Sequence, residues 1–246
     1  MSVDRSRGRP VTAPAPTDSL FFAIYPDAGA AVRLARLALR VRAEHGLKGR
    51  PVAAERFHVT LHHLGAYAGV PEDVVAMARD AAGRVAMPPF DVAFDRAGSF
   101  SGRRGKRPFV LKASAGMVPL IALQEMLGAA MATAGFVLKA QSRFTPHVTL
   151  LYDERHFPEE TVETIGWTVS EFVLVRSLLG RSEYVPLARW GVGGKRAGRP
   201  RGMLRSGRTA RNVKMTRQPG LAANESTVST GGITKPLPII FLQFLA

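Results

Sequence analysis

The sequence predicts an α+β protein with two sheet-bearing lobes. Its 246 residues are 46% hydrophobic and 22% charged, enough apolar material for one full core or two small ones. Its segments read strand, helix, strand, helix, hairpin, helix and then several strands, an order that suits α+β lobes better than a doubly wound parallel sheet. No glycine-rich dinucleotide fingerprint follows the first strand.

Ser19 to Tyr25 (SLFFAIY) is an apolar run closed by Pro26-Asp27, which reads as a strand. Ala28, Val32, Ala35 and Leu39 then recur at helical spacing as far as Gly46. After a Gly/Pro/Lys loop over 46–55, Arg56 to Gly65 (RFHVTLHHLG) alternates apolar and polar residues around β-branched Val59 and Thr60, the pattern of a strand. Pro71 to Met87 predicts a second helix with Val74, Val75, Ala78, Ala81, Ala82 and Val85 inward. Strands are expected at Phe90 to Ala97 and Phe109 to Ala113. The basic segment SGRRGKR between them reads as a solvated hairpin tip or a loop that touches a nucleic-acid backbone. Met117 to Ala134 predicts a third helix. Phe136 to Ala140, His147 to Tyr152, Thr168 to Leu174 and Tyr184 to Leu187 supply further strands.

The chain has no cysteine, which excludes disulfide frameworks, thiolate zinc sites, iron–sulfur clusters and cysteine nucleophiles. Residues 1–18 contain no apolar run that could serve as a signal-peptide core, so an untargeted cytoplasmic protein is expected. The apolar stretch Ile239 to Ala246 is far shorter than the roughly 20 residues that span a bilayer, and no membrane segment is predicted. The formal net charge of +15 favours polyanionic partners such as RNA. Much of that charge lies in residues 191–246, which hold 10 of the 34 Lys+Arg and one of the 19 Asp+Glu. This stretch is rich in Gly and Pro and lacks a sustained apolar period, so 1–18 and 191–246 are expected to be disordered arms around a domain at 19–190. The basic extension reads as an RNA-binding arm or, more commonly for such tails, a solvated one. Gly191-Val-Gly-Gly-Lys195 lacks the spacing of a phosphate loop.

The tetrapeptide His-Val-Thr-Leu occurs twice, at His58 to Leu61 and at His147 to Leu150, each time after an Arg-Phe pair, Arg56-Phe57 and Arg143-Phe144. A repeat anchored on a residue that occurs only six times in the chain is a specific signal. On a strand, residues i and i+2 share a face, so each copy presents an imidazole and a hydroxyl together and buries Val and Leu on the other side. Two such dyads facing one groove can break a phosphodiester without metal. One imidazole takes a proton from the attacking oxygen, the other gives one to the leaving oxygen, and the hydroxyls of Thr60 and Thr149 hold the phosphate.

Other readings of these residues are weaker. On a strand His58 and His62 lie about 13 Å apart and cannot share a zinc ion with His63. His45 and His156 read as solvated loop or helix-end residues. No G-x-S-x-G turn marks a serine nucleophile. Arg143, Phe57 and Phe144 are candidates for substrate contact, since Arg pairs with phosphate and an aromatic ring stacks a base; for the two Phe, core packing is the favoured reading.

At these residues the chain resembles the 2H phosphoesterase superfamily, which is defined by paired H-x-[ST]-x motifs. RFHVTLHHLG and RFTPHVTLLYD are similar to its branch of RNA 2',3'-cyclic phosphodiesterases, or 2'-5' RNA ligases. The resemblance covers residues 19 to 190 and implies a bilobal α+β fold, with two antiparallel sheets flanked by helices around a central cleft and related by a pseudo-two-fold axis. It implies hydrolysis of a terminal 2',3'-cyclic phosphate to a 2'-phosphate without metal or cofactor, with joining of 2'-5' linked ends in some members. Carried onto this chain, His58 becomes the proton donor, His147 the proton acceptor, and Thr60 and Thr149 the phosphate-binding groups. RNA ends or nucleotide cyclic phosphates are the implied partners, and a monomer is expected. The reading set against this is a basic RNA-binding protein whose phosphate cleft is not catalytic, although no RRM, KH or zinc-knuckle pattern is present.

Overall fold

β1 (Asp18–Ile24) is buried along its whole length, as a run such as Leu20-Phe21-Phe22-Ala23-Ile24 requires. It is an inner strand of one of two sheets in a computed structural model that describes residues 14–100, 105–114, 116–136 and 144–193, all within one folded unit. The elements that follow are α1 (Ala28–Glu44), a 3-10 turn (Ala54–Arg56), β2 (Val59–Tyr67), α2 (Glu72–Ala82), β3 (Phe90–Ser99), β4 (Arg107–Lys112), α3 (Val118–Thr133), β5 (His147–Asp153), β6 (Glu160–Val169), β7 (Glu171–Leu178) and β8 (Glu183–Gly191).

Both sheets have four strands, in the orders β2-β1-β7-β8 and β5-β4-β3-β6, and every pairing is antiparallel. The two halves are built alike. β1, α1 and β2 form a strand, a helix and an antiparallel neighbour, and β4, α3 and β5 repeat that unit. In each half the second strand of the unit is a sheet edge. α1 packs on β5 and β6 of the second sheet, while α3 packs on α2 and touches both β2 of the first sheet and β3 of the second. One apolar cluster, with Phe22, Phe57, Phe94, Phe109 and Phe172 among its fully buried members, therefore spans both sheets. Each such side chain contributes about 1.5–3 kcal/mol through removal from water. The opposite face of the first sheet carries a smaller patch, Phe21, Ala23, Val173 and Val175, flanked by Tyr25 and Tyr184.

The α+β class, the antiparallel sheets and the helices match the expectation, with differences in detail. The residues of α1 that face the core are Ala30, Leu34, Leu37, Ala38 and Val41, whereas Val32 and Leu39 of the predicted stripe are exposed. α1 has apolar residues at helical spacing on two faces, and the one with more aliphatic bulk is buried. α2 stops at Ala82 with Gly83 as its C-cap, well short of Met87, although Val85 is buried as expected. The predicted strand at Thr168 to Leu174 is the end of β6 and the start of β7, broken at Ser170, and the two belong to different sheets. β6 is an edge strand whose first half, Glu160 to Thr164, is too polar to show an apolar period. β1 begins at Asp18, a buried carboxylate that accepts from Arg176 Nε at 2.5 Å. Residues 1–13, 101–104, 115, 137–143 and 194–246 lie outside the described residues, and with them most of the expected arms, part of SGRRGKR, all but the first residue of the strand at Phe136 to Ala140, and Arg143. Among the described residues no helix is long and apolar enough to cross a membrane.

Candidate active site

Each copy of His-Val-Thr-Leu lies on an edge strand, and those two edges, β2 and β5, approach each other. Val59, Leu61, Val148 and Leu150 are buried in the core, while His58, Thr60, His147 and Thr149 are half-buried on the other face. The alternation of the strand thus sorts the repeat as expected: aliphatic side chains anchor it and the polar dyads line the place where the sheets meet.

The two imidazoles are held in the same way. His58 Nδ1 lies 2.7 Å from the carbonyl oxygen of Arg56, and His147 Nδ1 lies 2.8 Å from that of Thr145, two residues back in each case. A carbonyl can only accept, so Nδ1 carries the hydrogen in both rings and proton exchange falls to Nε2. The rings are further fixed by aromatic neighbours. His58 packs against Phe21 at 5.1 Å, edge-on to Tyr184 at 5.4 Å and near Tyr25 at 6.1 Å. His147 meets Phe100 edge-on at 4.8 Å.

These surroundings set the protonation states. Burial among aromatic rings pushes the His58 pKa down to about 4, opposed by the hydrogen bond to Arg56 and aided by the nearby His147 and the Arg56 charge. Burial also lowers the His147 pKa, with the bond to Thr145 opposing and the Lys112 ammonium adding to the shift. Both imidazoles are therefore neutral in the free protein near pH 7, and an anion arriving between them raises both. Desolvation likewise pushes the Tyr25 phenol up to about 12.

The other histidines with described contacts, His45, His62 and His63, are engaged away from the two dyads. His62 is buried with Nε2 at 2.7 Å from the Gln124 carbonyl oxygen of α3, and His63 Nε2 lies 2.9 Å from Ser19 Oγ, so the two point apart. Among the described residues no His, Asp and Glu side chains converge as a metal site would need. His45 is at a helix end, as expected, but is partnered and only half-buried: it caps α1, pairs with Glu160 at 2.9 Å and packs on Phe157, while His156 is exposed. Phe57 is 1% exposed and packs in the core, which removes it from the candidates for substrate contact. Phe144 packs against the core and also lines a concavity of about 400 Å³ beside Thr145 and Lys112, next to His147.

The motif alone did not point to several groups at this site. Arg56, whose guanidinium lies 4.6 Å above the Tyr184 ring, follows the same Arg-Phe repeat that flagged Arg143. Tyr152, two residues past the second motif, hydrogen-bonds Thr149 and is near enough to feel the Tyr184 and Arg56 side chains electrostatically. Tyr25, Tyr184, Phe100 and Lys112 come from elements whose sequences carry no mark of a site. Only the sheet pairing brings them to the histidines.

The family model of the 2'-5' RNA ligase superfamily matches residues 26–181. Over 177 residues the chain is 33% identical to the RNA 2',3'-cyclic phosphodiesterase of Escherichia coli K12, covering 70% of this chain and 96% of that protein. Crystal structures of E. coli LigT superpose with a TM-score of 0.57 at 32% identity, both in the apo form, covering 73% of this chain and 99% of that one, and in complex with 3'-AMP, covering 72% and 99%. The protein TT0787 of Thermus thermophilus matches with a TM-score of 0.57 at 25% identity, over 72% of this chain and all of that one. With two topologically equivalent halves, each presenting one His-x-Thr dyad, and a family match over most of its folded part, the chain belongs to the 2'-5' RNA ligase superfamily of 2H phosphoesterases.

Proposed function

We propose that the protein hydrolyses the 2',3'-cyclic phosphate of RNA ends or nucleotides to a 2'-phosphate, with His58 as the acid and His147 as the base. The observation that carries this reading is the matched anchoring of the two imidazoles, each bound through Nδ1 to its own backbone so that Nε2 exchanges the proton. Water loses a proton to His147 Nε2 as its oxygen attacks phosphorus in line with the 3' oxygen. The bond from phosphorus to that oxygen breaks, and His58, which takes up a proton at Nε2 from solvent as the anionic phosphate binds, passes that proton to it, leaving a 3'-hydroxyl and a 2'-phosphate. Solvent then returns the pair to its starting state. Thr60 and Thr149 donate to the non-bridging oxygens, where negative charge builds up. A 5'-hydroxyl in place of water yields a 2'-5' linkage by the same steps. The similarity to the E. coli enzyme supports the substrate class.

Incubation with EDTA and an oligoribonucleotide ending in a 2',3'-cyclic phosphate tests this reading, with His58→Ala and His147→Ala assayed alongside. A 2'-phosphate formed by the wild type and lost in both variants is expected. RNA bound but left intact would favour a non-catalytic phosphate cleft.

A further inference from the structure

Arg56 has a buried Nε that makes no hydrogen bond. Its Nη2 donates to the Tyr184 hydroxyl at 3.3 Å, and its guanidinium stacks on the ring of that tyrosine. No carboxylate lies within ion-pair distance of it among the described residues. Elsewhere in the structure Arg84, Arg176 and Arg189 each have one. A half-buried guanidinium with an unpartnered N–H and no counter-charge is an incomplete anion site.

The position of Arg56 indicates which anion. Its backbone carbonyl anchors His58, and its guanidinium and the His58 imidazole pack on the same ring, Tyr184. Its charge is felt at Tyr25 at the end of β1 and at Tyr152 on β5, which places the guanidinium where the two sheets meet, beside the dyads. The fork of an arginine matches two oxygens of a phosphate, which the single hydroxyls of Thr60 and Thr149 cannot do.

We infer that Arg56 is a third phosphate-binding group of this site, its guanidinium pairing with the non-bridging oxygens of the phosphate that lies between the two histidines. This rests on the proposed hydrolase reading, which it deepens. Tyr184 holds the guanidinium in place before substrate arrives, and the phosphate supplies the counter-charge that the guanidinium lacks.

Calorimetric titration of the full chain with inorganic phosphate tests the inference without requiring turnover. Arg56→Gln should weaken phosphate binding at least tenfold and lower kcat/KM on a 2',3'-cyclic nucleotide about 100-fold, the scale of a lost transition-state donor. Arg56→Lys should recover part of both. The limb of the pH profile set by His58 should move to higher pH in Arg56→Gln and stay in place in Arg56→Lys, a change that a merely structural role would not produce. Arg84→Gln, in the exposed turn just after α2, controls for loss of one positive charge. Phosphate binding within twofold of wild type in Arg56→Gln overturns the inference. If that variant unfolds, Arg56→Lys decides: loss of the fork should weaken phosphate at least fivefold, and binding within twofold of wild type overturns it. A wild type that binds phosphate through Arg56 but leaves every cyclic phosphate intact would sink the hydrolase reading and keep this one.

Discussion

Leu61 and Leu150 occupy equivalent places in the two halves. On β2 the pairing with β1 steps from Thr60 opposite Ala23 to His62 opposite Phe22, and on β5 the pairing with β4 steps from Thr149 opposite Val110 to Leu151 opposite Phe109. In each copy of the repeat the leucine is the extra residue of a β-bulge directly after the threonine, and both are buried. A bulge ends the strict alternation and bends the strand. It explains why His62 turns into the core toward α3 when simple alternation would put it on the same face as His58 and Thr60.

Removal of either site imidazole should cost more than 1,000-fold in kcat, in line with the roughly 10²–10⁴ range for one acid or base and the pairing of the two. On the proposed mechanism the histidines act as a pair, and the double variant should be hardly slower than either single one. Steady-state kinetics of His58→Ala, His147→Ala and the double variant check this, and multiplicative losses would count against a shared mechanism.

Thr60→Val and Thr149→Val keep the shape and remove the hydroxyl. Each should lower kcat by about 10²–10³, as loss of one oxyanion donor does. Thermal melting should change little, since both threonines are only half-buried and lie on the polar face. A large fall in melting temperature would instead assign them a structural role.

The pH profile follows from the direction of the two shifts. Both imidazoles have depressed pKa values in the free protein, that of His58 down to about 4. The bell in kcat/KM, which reports the free enzyme, should therefore be centred on the acid side of the usual imidazole value of about 6.5. Bound phosphate raises both pKa values, so the bell in kcat should lie at higher pH. A kcat/KM optimum above pH 7 would refute this arrangement. Stability should respond to the same groups: the unfolded chain takes up the His58 proton more readily, so this contribution is complete above about pH 6.5 and is lost as pH falls toward about 4.

Asp153 at the end of β5 accepts backbone N–H bonds from Lys48, Gly49 and Arg155 at 2.7, 2.8 and 3.0 Å. Burial alone would raise its pKa, but these donors bring it below the ordinary carboxylate range. Asp153→Asn keeps one acceptor oxygen but sets its amide NH2 against the donor or donors on the other side, Arg155 or the Lys48 and Gly49 pair, and should destabilise the fold by about 1–3 kcal/mol, measured by urea unfolding at neutral pH. The difference between variant and wild type should shrink as pH falls below about 3.9, where the unfolded carboxyl is protonated. A difference that does not change with pH would show that the carboxylate charge is not the source.

Much of the fold was legible because strong local patterns coincide with its elements. The apolar block at β1, the Leu120, Leu123, Leu127 and Met131 spacing of α3 and the alternation around both motifs all carry a clear period. The boundary between β6 and β7 was not legible, since the chain changes sheets at Ser170 without a glycine or a proline, and the polar pair Ser170-Glu171 is too short to read as a loop. The core face of α1 was ambiguous because helical periodicity gives two candidate stripes and only packing against β5 and β6 selects one.

The sequence by itself determined which groups are candidates for the chemistry. Two His-x-Thr dyads on strands are a property of residue type and spacing, and a strand of period two must put each pair on one face. Tertiary structure decided the environment of those dyads. The pairing of β1, β7 and β8 sets Phe21, Tyr25 and Tyr184 around His58, and β4 sets Lys112 beside His147. The pKa shifts depend on desolvation and on charges contributed by strands distant in sequence, as does the orphaned guanidinium of Arg56, so no local pattern could encode them.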